Sequence, residues 1–156
     1  MDTCDIVVDV GGVYDVNKNR FDHHQRTFNE SFSSIDPTKP WKIKLSSAGL
    51  VYVHFGKEIL EEILKKTMKQ KDVDKKLVEI LFDKMYEHFI IEIDAIDNGV
   101  GIAESKKYDI NTNLSARVSY FNPPWNNKEL DENVCYLFYQ KKLTENVLFN
   151  RFHNKN

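Results

Sequence analysis

Several features that assign proteins to a class are missing from this sequence. Its two cysteines, Cys4 and Cys135, lie far apart and form no CxxC pair. This spacing excludes the common zinc sites and disulfide-rich scaffolds, and it predicts a reduced, intracellular protein in which both thiols are free and packed. No apolar run approaches the ~20 residues needed to cross a bilayer. Because no spanning run is present, we expect no membrane partner, and the acidic first residues are the opposite of a targeting peptide.

An excess of either charge is also missing. The 22 basic and 24 acidic residues give a net charge of -2. A strongly basic nucleic-acid surface is therefore excluded, and contact with a polyanion requires a local patch or a bound cation. The length of 156 residues and the 41% hydrophobic content predict one globular domain over residues 1–156, without repeats.

The first predicted element is a strand over Ile6 to Val10. Its β-branched residues are typical of a strand covered on both faces, and Gly11-Gly12 ends it. Ligand sites of open α/β sheets lie beyond the carboxyl ends of strands, which makes Asp9 a candidate functional carboxylate. A turn-capping aspartate is the alternative. Because this strand begins so near the first residue, we expect an earlier part of the domain to be missing.

Two adjacent histidines follow a second predicted strand, over Arg20 to Asp22. His23 and His24 come at its end, after a polar turn that begins at Tyr14. Carboxylates suit Mn²⁺ and Mg²⁺, and imidazole adds affinity for Mn, Fe, Co or Zn. The sequence therefore predicts a divalent-metal site that includes these histidines.

Basic side chains suggest where a phosphate would be held. Arg26 and three lysines give a local positive bias around the predicted loop from Thr27 to Lys44, although a solvated loop explains the same pattern. Arg117 suits a phosphate oxygen, or equally a structural ion pair. We take Arg26, Arg117, Ser46 and Ser47 as candidate substrate contacts.

Helical patterns dominate the rest of the chain. They predict a helix capped by Ser46-Ser47 and running to about Lys66, a second from about Asp74 to Ile93, a short one over 114–121 and another from Glu129 to about Phe152. His54 and His88 lie within these helices without ligand-spaced partners, so we expect a packing histidine and a polar-face histidine.

Asp94 and Asp97 close the second long helix at i,i+3 spacing, just before Asn98-Gly99. If the helical turn persists, both carboxylates project to one side. Acids at a helix C-terminus favour a compensating cation, by only about 0.3 to 1 kcal/mol. Metal ligands and a solvated helix end are the two alternatives.

Six short sequence motifs occur along the chain in a specific order. They are Val-Val-Asp-Val-Gly-Gly, Asp-His-His-Gln, Lys-Leu-Ser-Ser-Ala-Gly-Leu, Asp-Lys-Met-Tyr-Glu, Asp-Ala-Ile-Asp-Asn-Gly and Leu-Ser-Ala-Arg-Val. From Asp5 to about Trp125 this order resembles the melanocyte-proliferating-gene-one family, a branch of the DHH phosphoesterase superfamily. The resemblance implies an α/β fold with a mainly parallel sheet and a manganese- or magnesium-dependent phosphoesterase. It also implies 3'-to-5' exonuclease activity on RNA, and location in mitochondrion and nucleus.

The resemblance also implies roles for individual residues. Asp9 matches a bridging metal ligand and His23 a terminal one, while His24 matches the histidine that faces the phosphate. Asp22 would orient a histidine from behind. The remaining ligand is Asp94 or Asp97, and we prefer Asp97 because it directly precedes Asn-Gly.

One family motif, which supplies the ligands of the other ion, is absent here. The carboxyl-terminal substrate-gripping region also is missing or much reduced. We therefore expect the helix-rich central part of a DHH-type domain, which binds one ion weakly and has little or no turnover alone. The alternative is a non-catalytic domain in which the same residues form a structural ion site or polar packing. An exposed sheet edge would favour a homodimer.

Overall fold

A computed structural model describes residues 4–69, 71–105 and 107–119 of the chain. The fold is α/β, with a small sheet and several helices. The chain divides into two compact units, residues 1–107 and 108–156. The described part of the second unit contains helix α5, Leu114–Ser119, within the predicted short helix. The predicted helix from Glu129 and Cys135 lie outside the described residues.

The sheet has three two-residue strands, β1 (Val7–Val8), β2 (Tyr14–Asp15) and β3 (Arg20–Phe21), in the order β1-β3-β2. Strand β3 is parallel to β1 and antiparallel to β2. The predicted strand at Arg20 is thus confirmed. The expectation of a turn-like segment from Tyr14 was wrong in part, because β2 and a 3-10 turn, Val16–Lys18, lie within it.

Strand β1 is covered on one face only. Val7 is 7% exposed, whereas Val8, on the other face, is 39% exposed. Ile6 and Val10, which the prediction included in the strand, lie outside β1 and are 45% and 52% exposed. The prediction of a strand buried on both faces, based on its β-branched residues, was therefore wrong for this chain. Those residues fix an extended backbone, but what covers each face depends on neighbouring elements. Cys4, just upstream, is free but exposed, so the expected packed thiol is wrong there too.

The predicted loop from Thr27 to Lys44 is ordered by a short helix, α1 (Phe32–Ile35). Ser31 caps α1 through a capping box with Ser34, and a β-bridge joins Ser31 to Lys44. Phe32 is buried at the centre of an aromatic cluster whose members are Trp41, Phe82 and Tyr86. A single helical turn has no detectable periodicity, which is why the pattern missed it.

Helix α2 (Ser47–Met68) confirms the first predicted long helix. Its N-cap is Ser46, whose hydroxyl accepts a hydrogen bond from the Gly49 amide at 3.1 Å. Leu50, in the first turns, is fully buried. Ile59 and Ile63, in the outer half, are 48% and 53% exposed, so the predicted apolar stripe is covered over only part of its length.

The second long helix continues to the site. It consists of α3 (Lys75–Met85), a π-helical turn (Tyr86–Ile90) and α4 (Ile91–Asp97), so it ends four residues beyond the predicted Ile93. The π turn places Tyr86 in the core with no exposed surface. None of the described helices is long and apolar enough to cross a membrane.

Lys39 links the segment of residues 27–44 to α3 through ion pairs. Its side chain is 8% exposed, and its ammonium lies 2.7 Å from Glu79 and also contacts Asp83. Burial lowers the pKa of Lys39, but the hydrogen bonds to Asp83 and Glu79 outweigh it and leave the pKa raised.

We expect Lys39→Met to lower the free energy of unfolding by about 1 to 2 kcal/mol, because two half-exposed carboxylates lose a buried partner. Urea denaturation at pH 7 measures this. The control is Lys84→Met, which breaks a surface ion pair with Glu87 and is expected to change stability by less than about 0.5 kcal/mol. Equal losses in both variants would contradict the prediction.

His54 behaves as a packing histidine, as expected. Its Nε2 lies 2.9 Å from the Tyr14 hydroxyl, and its ring packs on Phe21. Burial lowers the pKa of His54. His54 therefore binds a proton more readily in the unfolded chain than in the folded chain. The free energy of unfolding falls as the pH drops below the pKa of about 6.5 that histidine has in the unfolded chain.

We predict that His54→Gln loses less stability than wild type as the pH falls from 7.5 to 5, while the raised pKa of His24 acts in the opposite sense in both proteins. The control is His88→Gln on an exposed histidine, which should retain the wild-type slope. Urea midpoints measured at four pH values in this range check the prediction. A wild-type slope in His54→Gln would contradict it.

Candidate metal centre

Four predicted site residues meet at the carboxyl-terminal ends of the two parallel strands. Asp22, His23 and His24 directly follow β3, and Asp9 directly follows β1. The strands are in register, which brings the residues after them to the same edge of the sheet. One ligand-capable atom from each of these four residues lies within 4.8 Å of the others.

His23 is buried and held from both sides. Its Nδ1 accepts a hydrogen bond from the Ser47 amide at 3.1 Å and lies 2.9 Å from the Ser47 hydroxyl. Its Nε2 lies 3.0 Å from Asp97 Oδ2. Because Nδ1 accepts the amide hydrogen, a neutral ring carries its own hydrogen on Nε2, beside Asp97.

Asp22 is buried and holds His24. One carboxylate oxygen accepts a hydrogen bond from the Gly12 amide at 2.6 Å. The other accepts hydrogen bonds from the His24 amide at 3.0 Å and from His24 Nδ1 at 2.6 Å. Burial raises the pKa of Asp22, but these hydrogen bonds outweigh it and lower the pKa to about 2. Asp22 is therefore a carboxylate at neutral pH.

His24 is exposed, with 60% of its side chain accessible. The hydrogen bond from Nδ1 to Asp22 raises the pKa of His24, and Asp9 and Asp97 add to the effect. Since Nδ1 donates to Asp22, Nε2 is the nitrogen left for an external partner. Protonated, the ring is a cation. Neutral, it offers a lone pair.

Asp9 lies at the mouth of the cluster. Its carboxylate is 63% exposed and lies 3.8 Å from His23 Nδ1 and 4.0 Å from His24 Nδ1. Its backbone φ of 63° is left-handed, a conformation that aspartate tolerates better than most residues. The turn over Gly11-Gly12 follows, and the Gly12 amide is the donor to Asp22. The sequence indicated this turn but not its hydrogen bond to Asp22.

The structure separates Asp94 from Asp97. Asp97, the last residue of α4, is 48% exposed and contacts His23. Asp94 is fully buried and accepts hydrogen bonds from the Ser46 amide and hydroxyl, at 2.9 and 2.7 Å, and from the Tyr86 hydroxyl, at 2.8 Å. Burial raises the pKa of Asp94, against the lowering effect of these hydrogen bonds. The contribution of Tyr86 was not foreseen from the sequence.

The four candidate substrate contacts are in different surroundings. Ser46 and Ser47 are buried at the start of α2, against Asp94 and His23 respectively. Arg26 is exposed two residues after His24. Arg117 is exposed on α5 of the second unit.

The donor set fits a divalent ion of intermediate hardness. Two imidazoles and two carboxylates face one another, and a third carboxylate, that of Asp97, contacts His23. The imidazoles favour Mn²⁺ and neighbouring transition-metal ions, whereas the carboxylates also suit Mg²⁺. Hydrogen bonds already hold the rings and Asp22 in place, as outer groups do in metal sites.

Comparisons with known proteins show the family to which the chain belongs. A family model described as "Uncharacterised protein family (UPF0160)" matches residues 1–155. The chain is 50% identical to the MYG1 exonuclease of Homo sapiens over 131 residues, which are 83% of this chain and 34% of that protein. It is 52% identical to the MYG1 exonuclease of Rattus norvegicus over 82% of this chain and 33% of that protein.

A MYG1 protein of Schizosaccharomyces pombe is 40% identical over 146 residues, 90% of this chain and 41% of that protein. No solved structure matches the chain significantly. The chain thus spans 33% to 41% of the length of these relatives.

Proposed function

This chain belongs to the UPF0160 family, which includes the MYG1 exonucleases, and we propose that it supplies part of the active site of a metal-dependent phosphoesterase of nuclease type. The observation that carries the proposal is the cluster of Asp9, Asp22, His23 and His24, with ligand atoms within 4.8 Å of one another. The relatives named exonucleases favour a phosphodiester substrate, and we propose RNA degraded from its 3' end.

Within this site we propose Asp9, His23 and Asp97 as the ligands of one Mn²⁺ or Mg²⁺ ion. His23 would bind it in the ring form that carries hydrogen on Nδ1, beside the Ser47 hydroxyl, and leaves Nε2 free. Bound there, the ion would neutralise phosphate charge and acidify a water molecule. Asp97 is favoured over Asp94 because its half-exposed carboxylate lies 3.0 Å from His23 Nε2, whereas Asp94 is enclosed by protein donors.

His24 and Asp22 form the proposed phosphate contact. Asp22 orients the His24 ring and favours its cationic form, which places a hydrogen-bond donor at Nε2. A cationic donor pairs well with a phosphate oxygen. Arg26, exposed two residues further on, is the proposed second contact. Arg117, exposed on α5, stays a separate proposed substrate contact. Ser46 and Ser47 contact protein groups, so we propose that they support the site from beneath.

The rest of the longer protein completes this site in our proposal. Residues 1–156 together form the central part of one domain, in which further parallel strands extend the sheet beyond β1, and a second ion is held by ligands from outside this chain. We further propose location in mitochondrion and nucleus, from the family resemblance, and homodimer formation through the exposed edge at β1.

One observation favours a second candidate, a non-catalytic domain. Both ring nitrogens of His23 already have protein partners, Ser47 and Asp97, as in simple polar packing. In that case no ion is needed to explain the buried histidine. Metal binding separates the two candidates.

The test is titration of the chain with Mn²⁺ by calorimetry at pH 7.5, where unperturbed imidazole is neutral. We expect weak binding that His23→Ala and Asp9→Ala each reduce at least about 10-fold. His88→Ala, which changes an exposed histidine beside Glu87, is the matched control and should bind as wild type. Equal binding by wild type and His23→Ala would reject the metal site and favour the non-catalytic candidate.

A second arm measures phosphodiesterase turnover of the same chain with Mn²⁺. We expect little or none, because the ligands of the other ion come from outside residues 1–156. Robust turnover that is abolished in Asp9→Ala would show that this chain is complete, and would overturn that part of the proposal.

A further inference from the structure

A buried carboxylate beneath the metal centre has no surface from which to reach an ion. Asp94 is fully enclosed, and its two oxygens accept three hydrogen bonds from Ser46 and Tyr86. Gly49 lies so close that a Cβ at this position would be 2.7 Å from the Asp94 Cγ. The packing of α2 against α4 is therefore built around this carboxylate.

The contact between Asp94 and Ser46 joins the two elements that hold His23. Ser46 is the N-cap of α2, and the next residue, Ser47, supplies both groups on the Nδ1 side of the ring. Asp97, three residues after Asp94 on α4, supplies the carboxylate on the Nε2 side. Each partner of His23 is thus within one helical turn of the Asp94–Ser46 contact.

This arrangement also fixes which nitrogen of His23 carries hydrogen. The Ser47 amide can only donate, so it selects the ring form with a free Nδ1 lone pair and hydrogen on Nε2. If α2 shifted against α4, the amide would leave Nδ1 and the selection would weaken. The form with hydrogen on Nε2 has no lone pair there, so the same packing also controls whether His23 can bind an ion through Nε2.

We propose that Asp94 is a positioning residue, which sets the orientation and ring form of His23 by docking the start of α2 onto α4, and that it is not a metal ligand. The metal part of this inference rests on the proposed function. The part that concerns the ring form of His23 does not, because it applies to the chain without an ion.

The first readout is the pattern of ¹⁵N signals from the His23 ring, recorded at pH 8 without metal, where unperturbed imidazole is neutral. We expect the Nε2–H form to dominate in wild type. It should persist in Asp94→Asn, because the amide oxygen retains the two Ser46 hydrogen bonds and its N–H can donate to the Tyr86 hydroxyl. Asp94→Ala should give a mixture of the two ring forms.

The second readout is Mn²⁺ affinity by calorimetry. Asp94→Asn should bind within about 3-fold of wild type because it keeps the ring form of His23, whereas Asp97→Asn, which changes a proposed ligand, should bind about 10-fold more weakly. Loss of binding in Asp94→Asn with an unchanged ring pattern would make Asp94 a ligand and overturn the inference. A wild-type ring pattern in Asp94→Ala would overturn it as well.

If Asp94→Ala does not fold, Ser46→Ala replaces it. This variant keeps the carboxylate and removes one of its two donors on α2, so the His23 signals must shift; unchanged signals overturn the inference. Failure of wild type to bind Mn²⁺ would reject the proposed metal site alone, because the ring pattern still decides whether Asp94 positions His23.

Discussion

Replacing Gly49 with alanine is expected to lower the free energy of unfolding by about 3 to 5 kcal/mol, although glycine to alanine inside a helix normally stabilises by roughly 0.5 to 1 kcal/mol. The reason for the reversal is space. A Cβ at Gly49 would lie 2.7 Å from both the Cγ and Oδ2 atoms of Asp94. Relief of this overlap requires the buried carboxylate to leave its donors on Ser46 and Tyr86.

Urea denaturation at pH 7 measures the loss. Gly99→Ala is the control. Gly99 has a φ of +68° with open space around it. Alanine there should lower the free energy of unfolding only by the cost of a left-handed backbone, about 1 to 2 kcal/mol. A Gly49→Ala variant no less stable than Gly99→Ala would show that α2 and α4 are not packed as described.

Asp22→Asn is expected to lower the free energy of unfolding by about 2 kcal/mol at pH 7. The shift of the Asp22 pKa from 3.8 to about 2 corresponds to a stabilisation of this size. Three donors converge on this carboxylate, from the Gly12 amide, the His24 amide and the His24 ring. An asparagine offers one oxygen, and its own N–H group would face a donor.

The effect must also depend on pH in a defined sense. The folded pKa of Asp22 is depressed, so its stabilisation is complete above the unfolded value of 3.8 and is lost as the pH falls towards 2. The difference between wild type and Asp22→Asn should therefore shrink between pH 5 and pH 2. Urea midpoints across this range measure it, with Asp5→Asn, at an exposed residue, expected to stay within about 0.5 kcal/mol of wild type. A difference that is constant with pH would contradict the assignment.

Asp22 and Asp94 show that residue type alone does not predict the effect of a substitution. Asp22 and Asp94 are both buried carboxylates with three hydrogen bonds each. Asparagine is expected to be tolerated at 94, where the Tyr86 hydroxyl can turn to accept, and harmful at 22, where both backbone donors are fixed. The sequence contains no sign of this difference.

Much of the site was nonetheless predictable. The strand before Asp9, the helix that begins after Ser46 and the helix that reaches Asp97 follow from β-branched residues, an N-cap and apolar periodicity. The pattern failed where elements are short or where coverage depends on other parts of the chain. Strand β2 and helix α1 have too few residues for a period, and Ile6 and Val10 are exposed although their residue types favour burial.

The sequence by itself determined which side chains are available to the site and the order in which they occur. Local physical chemistry is enough for this, because capping, periodicity and the position of Asp-His-His after a strand depend only on neighbouring residues. The tertiary structure alone decided that Asp97 meets His23 while Asp94 is enclosed by Ser46 and Tyr86. Two acids one helical turn apart have the same local environment, and only the packing of α2 against α4 distinguishes them.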